Sequence, residues 1–164
     1  GRNAERFPGE LARIVAEGHE LGNHLYTNAR SARLSPEAFA RDLARTDSTL
    51  RRHVAPRWMR PGSGRFTPSM REPIAALGYR GVLGTIYPFD PQIPSRAFMV
   101  DVVLSAARPG AIIILHDGRS RGRRTAAALE EILPRLRASG YRVVSVGELE
   151  AASRRSPPPR SSRD

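Results

Sequence analysis

The chain has 164 residues, of which 40% are hydrophobic, and it contains no cysteine. This length is enough for one domain with its own hydrophobic core and too short for two. The lack of cysteine excludes disulfides and thiolate metal sites, and it leaves the cellular compartment undecided. The longest apolar run, residues 111–115, has only the length of a strand, so we predict no membrane span.

The net charge of +11 raises the question of nucleic-acid binding, because all 27 basic residues are arginines. A phosphate-binding face is expected to combine clustered cations with aromatic stacking partners. Here the arginines are scattered, with their densest runs at residues 119–124 and 154–163, and aromatic residues make up only 6% of the chain. We therefore predict a solvated basic surface and no nucleic-acid partner.

Apolar periodicity and turn residues predict that helices and strands alternate. Helices are expected at residues 8–17, 35–53, 67–78, 95–107 and 125–138. A short extended piece ending at residues 22–24 and strands at 57–60, 79–86, 111–115 and 141–146 are expected between them. The run 111–115 has the composition of a strand that is buried on both faces of a parallel sheet.

This order favours an α/β fold built from parallel βα units with right-handed crossovers. A doubly wound open sheet and a barrel both fit the alternation. We predict one domain over residues 1–150. A disordered tail is expected over residues 151–164, which are rich in serine, proline and arginine and lack apolar periodicity.

Polar side chains stand where the predicted strands end. They are His24, Arg60, Asp90 and His116, each at or shortly after the end of one strand. Because the carboxyl ends of parallel strands meet at one rim, we expect these side chains to converge there. Imidazoles, a carboxylate and a fixed cation are the groups that metal-assisted or acid–base hydrolysis uses.

Each of these residues also has a plain structural alternative. His116 precedes a turn pair that it could cap, and Asp90 precedes a proline, which is a common turn sequence. Arg60 could be one more surface arginine or part of a buried ion pair. His24 alone makes a weak metal site, because the residue four positions further on is Asn28 and not a second histidine.

Several segments, in this order, resemble the motifs of the polysaccharide deacetylases, also called NodB-homology or carbohydrate esterase family 4 domains. They are GHELGNH at residues 18–24, LSPE at 34–37, RPGSG at 60–64, residues 78–90, PGAIIILHDG at 109–118 and the closing GYRVV at 140–144. Ordered segments at compatible spacing are more specific than any one of them. The resemblance implies a part of a distorted (β/α) barrel, with the first strands missing.

The resemblance also implies a metal-dependent hydrolase that removes acetyl groups from N-acetylated sugars, with a chitin-like or peptidoglycan-like glycan as its partner. In this family a divalent ion, commonly zinc, is held by one aspartate and two histidines. Carried over by motif, His24 would be a metal ligand, and Asn28 stands where the second metal-binding histidine is expected. We expect a monomer.

The remaining roles follow the same motifs. His116 would be the general acid that protonates the departing amine, and Asp90 would hold its charge or tautomer. Arg60 would orient the aspartate base. The backbone N–H of Ser63 would stabilise the oxyanion, and Leu115 would line the pocket for the acetyl methyl group.

Four departures from the family pattern stand out. A strand end of the Thr-Phe-Asp-Asp-Gly type, which carries the base and the aspartate ligand, is absent from the sequence, so we expect the chain to begin after the family's second strand. Asn28 replaces a histidine, Gly62 replaces a usual proline, and no tryptophan follows Asp90. A catalytically silent, glycan-binding relic is therefore the alternative to an enzyme.

Overall fold

The computed structural model of the protein describes residues 1–27, 29–118 and 120–155. The chain divides into two compact units, Gly1–Leu83 and Gly84–Asp164. Within the described ranges, every helix is too short or too polar to cross a lipid bilayer.

Among its described residues, the first unit contains four α-helices and three short strands. They are α1 (Arg2–Arg6), α2 (Pro8–Ala16), β1 (Gly22–Asn23), α3 (Pro36–Leu50), β2 (Trp58–Met59), α4 (Arg71–Ala76) and β3 (Arg80–Gly81). Helix α3 begins where the sequence predicts it, because the Ser35 hydroxyl accepts the N–H of Ala38 at 3.2 Å and Pro36 occupies the first helical position.

The three strands form a parallel sheet in the order β1-β2-β3. Helices α3 and α4 and the sheet enclose a core that consists of Leu25, Phe39, Leu43, Met59, Met70, Ile74 and Tyr79. Parallel strands joined through helices confirm the predicted α/β class. Each strand has only two residues paired as a strand, which is less than the sequence predicts.

The second unit contains α5 (Arg96–Ala106), α6 (Ser120–Ala138) and α7 (Val146–Arg155). Helices α5 and α6 pack against each other. A second core lies between them. It consists of Ile86 and of residues from the two helices, namely Met99, Val100, Val103, Ala128, Ile132 and Leu136.

In the described part of the second unit, one predicted strand is reduced to a single bridge and another is wrong. Residues 111–115 form a single parallel bridge, Ile113 with Ile86, and are partly rather than fully buried. The N–H groups of Thr85 and Ile86 both donate to the carbonyl of Ile112, at 2.8 and 3.1 Å, so two residues face one and the ladder is interrupted. Residues 141–145 have no regular structure before α7 begins.

Helix α7 also corrects the start of the predicted tail. Ser145 and Glu148 form a capping box, in which the Glu148 carboxylate accepts the Ser145 N–H at 2.9 Å and the Ser145 hydroxyl accepts the Glu148 N–H at 3.3 Å. Arg154 then pairs with Glu150 at 2.7 Å, one turn apart. Residues 151–155 are therefore helical, and the rest of the predicted tail lies outside the described residues.

Candidate functional site

The side chain of His24 extends the pairing between β1 and β2. The Arg60 N–H donates to the Asn23 carbonyl at 3.0 Å, and the imidazole Nδ1–H of His24 donates to the Arg60 carbonyl at 2.5 Å. A carbonyl oxygen only accepts, so this bond places a ring proton on Nδ1 and the lone pair of the neutral ring on Nε2. Metal-binding histidines commonly have this kind of second partner.

A buried polar network holds the backbone on both sides of His24. The Asn23 side chain, in a residue that is 1% exposed, accepts the Leu25 N–H at 2.9 Å and donates to the Leu43 carbonyl at 3.0 Å and the Tyr79 hydroxyl at 3.2 Å. Leu25 has a φ of 67°, a left-handed conformation that bulky residues rarely adopt. The Asn23–Leu25 bond supports this turn and so determines the direction in which the imidazole leaves β1.

The network continues from Tyr79 into α3. The Tyr79 hydroxyl donates to Asp47 at 2.8 Å, and the Nε–H of Arg51 lies 2.8 and 2.9 Å from the two oxygens of the same carboxylate. Burial raises the pKa of the Tyr79 phenol well above its usual range. The Asn23 amide acts on that pKa in the opposite direction, and the Asp47 carboxylate raises it further.

We expect Tyr79→Phe to lower the free energy of unfolding by about 1–3 kcal/mol at neutral pH, because it removes a partner from Asn23 and from Asp47. A raised pKa means that folding favours the protonated phenol, so its contribution is complete below about pH 10, the pKa of an unfolded tyrosine, and is lost above it. Urea denaturation measures the free energy of unfolding of both proteins. The difference between the variant and the wild type should be smaller above about pH 10 than at neutral pH.

The matched control is Tyr141→Phe, which removes one hydrogen bond to the Ala107 carbonyl, 3.1 Å long, in the second unit. This variant should lower the free energy of unfolding by less than Tyr79→Phe does at neutral pH. Equal losses would contradict the network.

The loop after β2 holds Ser63 in a left-handed backbone conformation. Ser63 has a φ of 64° and Gly64 a φ of 63°, and the Gly64 N–H donates to the Pro61 carbonyl at 3.1 Å. The Gly62 N–H donates to the Ser31 hydroxyl, which ties this loop to the turn that follows residue 30. The exposed Ser63 is thereby presented by a tethered loop.

A second prediction concerns this tether. A methyl group on Gly62 would overlap the Ala29 carbonyl and lie 2.9 Å from the Ser31 hydroxyl. We expect Gly62→Ala to lower the free energy of unfolding by about 1–3 kcal/mol, because the two loops must separate. The control Gly9→Ala in α2, where nothing lies within 4 Å, should instead raise it by about 0.4–1 kcal/mol in the same denaturation assay. The same sign for both variants would be evidence against the tether.

In the second unit, Asp90 and His116 form a close pair. The His116 Nδ1–H lies 2.9 and 3.1 Å from the two Asp90 oxygens, and the His116 backbone N–H donates to Asp90 at 3.0 Å. Asp90 is 1% exposed, whereas the His116 side chain is 28% exposed. The Thr125 hydroxyl, in the second turn of α6, donates to the His116 carbonyl at 2.6 Å. The carboxylate thus orients the ring and leaves Nε2 as the nitrogen available for chemistry.

The predicted site residues therefore form two pairs. His24 and Arg60 are joined in the first unit, and Asp90 and His116 in the second. The convergence of all four at one rim stays a prediction.

The other predicted site residues are placed as follows. Ser63 lies in the tethered loop, Leu115 packs against the second core, and Asn28 lies outside the described residues. Sequence reasoning missed Asn23, Asp47 and Tyr79. Asn23 and Tyr79 do lie within the motif segments 18–24 and 78–90, and Asp47 stands one helical turn before Arg51 on α3, but none of these signals pointed to a shared network.

The described residues do not make up a complete metal centre, since they contain no cluster of three or more His, Cys, Asp or Glu side chains. The donor chemistry of His24, an imidazole held through Nδ1, fits one ligand position. Members of the family that the motifs resemble generally depend on a divalent metal.

Comparison with known proteins bears directly on that resemblance. Residues 1–82 match the family model of polysaccharide deacetylases. The chain is 32% identical over 152 residues to a peptidoglycan-N-acetylglucosamine deacetylase of Bacillus cereus, covering 91% of this chain and 71% of that protein. It is 30% identical over 156 residues to a chitooligosaccharide deacetylase of a Bradyrhizobium species, covering 87% of this chain and 71% of that protein.

Solved structures show the same fold. The peptidoglycan deacetylase PdaC of Bacillus subtilis matches with a TM-score of 0.85 and 27% identity, covering 94% of this chain and 74% of that one. A carbohydrate esterase family 4 pseudoenzyme from Bacillus anthracis matches with a TM-score of 0.81 and 26% identity, covering 91% of this chain and 52% of that one. The predicted fold, part of a distorted barrel, is thus confirmed over part of the length of these structures.

The family model covers half of the residues, and relatives at about 30% identity cover most of the chain. The motif resemblance is thereby confirmed: this chain belongs to the polysaccharide deacetylase family.

Proposed function

We propose that this chain provides the general acid of an N-deacetylase, a hydrolase that removes acetyl groups from N-acetylated glycans of the peptidoglycan or chitin type. Family membership and the named activities of the two relatives support the substrate class. The observation that carries the reaction type is the pair formed by the buried Asp90 carboxylate and the Nδ1–H of the partly exposed His116.

The acid step follows from this pair. Deacetylation breaks the bond between the carbonyl carbon and the sugar nitrogen, and that nitrogen must gain a proton to leave as an amine. An imidazolium at His116 gives the proton from Nε2 while its Nδ1–H stays bonded to Asp90. The carboxylate balances the positive charge before transfer and keeps the ring in one orientation afterwards.

In the same proposal, the first unit contributes residues that bind and orient. His24 is the described residue that would hold zinc, an ion that polarises a carbonyl and activates water when bound. Arg60 would orient the family's aspartate base, a residue that this sequence does not contain. The Ser63 N–H would stabilise the oxyanion, and Leu115 of the second unit would contact the acetyl methyl group.

The test measures acetate release. The complete open reading frame that encodes this sequence is expressed and supplied with zinc or cobalt, then incubated with N-acetylated chitooligosaccharides and with peptidoglycan fragments. Metal-dependent release of acetate from either substrate supports the proposal. No acetate from any substrate, together with no metal binding, would overturn it.

A glycan-binding protein without turnover is the second candidate. It is favoured by the lack of a three-donor cluster among the described residues and by the similarity to the B. anthracis pseudoenzyme. It predicts that calorimetry detects binding of the same oligosaccharides while no acetate appears. Acetate release by the wild-type protein would reject this candidate.

A further inference from the structure

The turn that precedes Asp90 exposes an aromatic ring. Phe89 is 47% exposed and has a φ of 55°, whereas the adjacent Asp90 is 1% exposed. The N–H groups of Gln92 and Ile93 both donate to the Phe89 carbonyl, at 2.9 and 2.7 Å. A phenylalanine in this conformation is a steric outlier, and such outliers cluster at functional sites. The turn buries the carboxylate of Asp90 and leaves the ring of Phe89 in solvent.

A second ring lies between Phe89 and His116. The Tyr87 and Phe89 rings are 5.0 Å apart at 62°, and the Tyr87 and His116 rings are 6.0 Å apart at 82°. The Tyr87 hydroxyl donates to the Gln92 side chain at 2.9 Å. Gln92 therefore holds Tyr87 through its side chain and Phe89 through its backbone N–H. The Tyr87 hydroxyl and the Phe89 backbone are thus both fixed by Gln92, and the contact between the two rings limits their motion, which reduces the entropy lost on binding.

We propose that Tyr87 and Phe89 form a stacking platform for a pyranose ring of the glycan, next to the sugar whose acetamide is served by His116. This inference rests on the proposed function. A pyranose with equatorial substituents presents axial C–H groups on its faces, and an exposed aromatic ring offers the apolar area to cover them. The Phe89 ring contacts the Tyr87 ring, which in turn faces the ring of His116, so we infer that the partner of Phe89 is a neighbouring sugar. The platform therefore favours oligosaccharides over single sugars.

The test replaces the ring and keeps the turn. Phe89→Asn removes the aromatic surface, and asparagine tolerates a positive φ. We expect the Kd and KM for fully N-acetylated chitotetraose to rise by about 10-fold, with kcat changed by less than about 2-fold. The Kd for N-acetylglucosamine should stay within about 2-fold of wild type, because one sugar does not reach the platform. Phe89→Tyr should retain the wild-type tetramer Kd.

The matched control is Phe7→Asn in the first unit, where the phenylalanine has the same 47% exposure. It should leave the tetramer Kd unchanged. Acetate release with an unchanged tetramer Kd in Phe89→Asn would overturn the platform and leave the proposed function standing. A Phe89-dependent tetramer Kd without acetate release would support the platform and reject the enzyme. No tetramer binding by the wild-type protein would overturn the platform.

Discussion

Replacing His116 with asparagine is expected to lower kcat for acetate release by about 10²- to 10⁴-fold, the usual contribution of a general acid. The asparagine amide can donate to Asp90 from about the position of the imidazole Nδ1, which donates there at 2.9 Å in the wild type. The buried carboxylate of Asp90 then keeps a partner, so the fold is retained. What the variant lacks is any group at the position of Nε2, from which the proton leaves.

The matched control for this variant is His19→Asn, since the His19 side chain is 68% exposed and lies outside both pairs. Its kcat should equal that of wild type. Circular dichroism and urea denaturation check that both variants are folded. A folded His116→Asn protein with more than about a tenth of the wild-type kcat would remove His116 from the acid role.

The second large effect is expected for Asn23→Ala, which should lower the free energy of unfolding by about 2–5 kcal/mol. The change removes three hydrogen bonds and leaves the buried Leu25 N–H without its side-chain acceptor. It also releases the turn that directs His24. We therefore expect the Nδ1–H signal of His24, protected in the wild type by its bond to Arg60, to disappear from the NMR spectrum.

Asn3→Ala in α1 provides the control, because Asn3 is exposed. Its stability should stay within about 0.5 kcal/mol of wild type, with the His24 signal intact. If Asn23→Ala lost less than about 1 kcal/mol and kept that signal, the network would have no role in placing the imidazole.

Chain position predicted that the four polar residues at the strand ends would converge, and the structure joins them as two pairs. His24 and Arg60 each follow a strand of the same parallel sheet, and such neighbours must meet at its carboxyl edge. Asp90 and His116 each follow one partner of the Ile86–Ile113 bridge, which brings them together in the same way. These contacts depend on the backbone order, which apolar periodicity reveals.

The residues that support the His24–Arg60 pair could not be predicted in this way. Asn23, Asp47 and Tyr79 lie on a strand, a helix and a loop, and only the packed core brings them into contact. The last predicted strand failed for a different reason. The β-branched residues between 141 and 146 favoured a strand in the prediction. The sequence also contains the capping box of Ser145 and Glu148, which indicates a helix start, and the structure follows that signal.

The bond from the Gly62 N–H to Ser31 has an evolutionary consequence. A proline at position 62, the residue that the motif resemblance leads us to expect there, has no N–H to donate, and its ring would occupy the space held here by the Ala29 carbonyl. Homologues with proline at this position should therefore lack a serine at the place of Ser31 and have a differently shaped backbone before it. We therefore expect positions 31 and 62 to covary in an alignment of homologues.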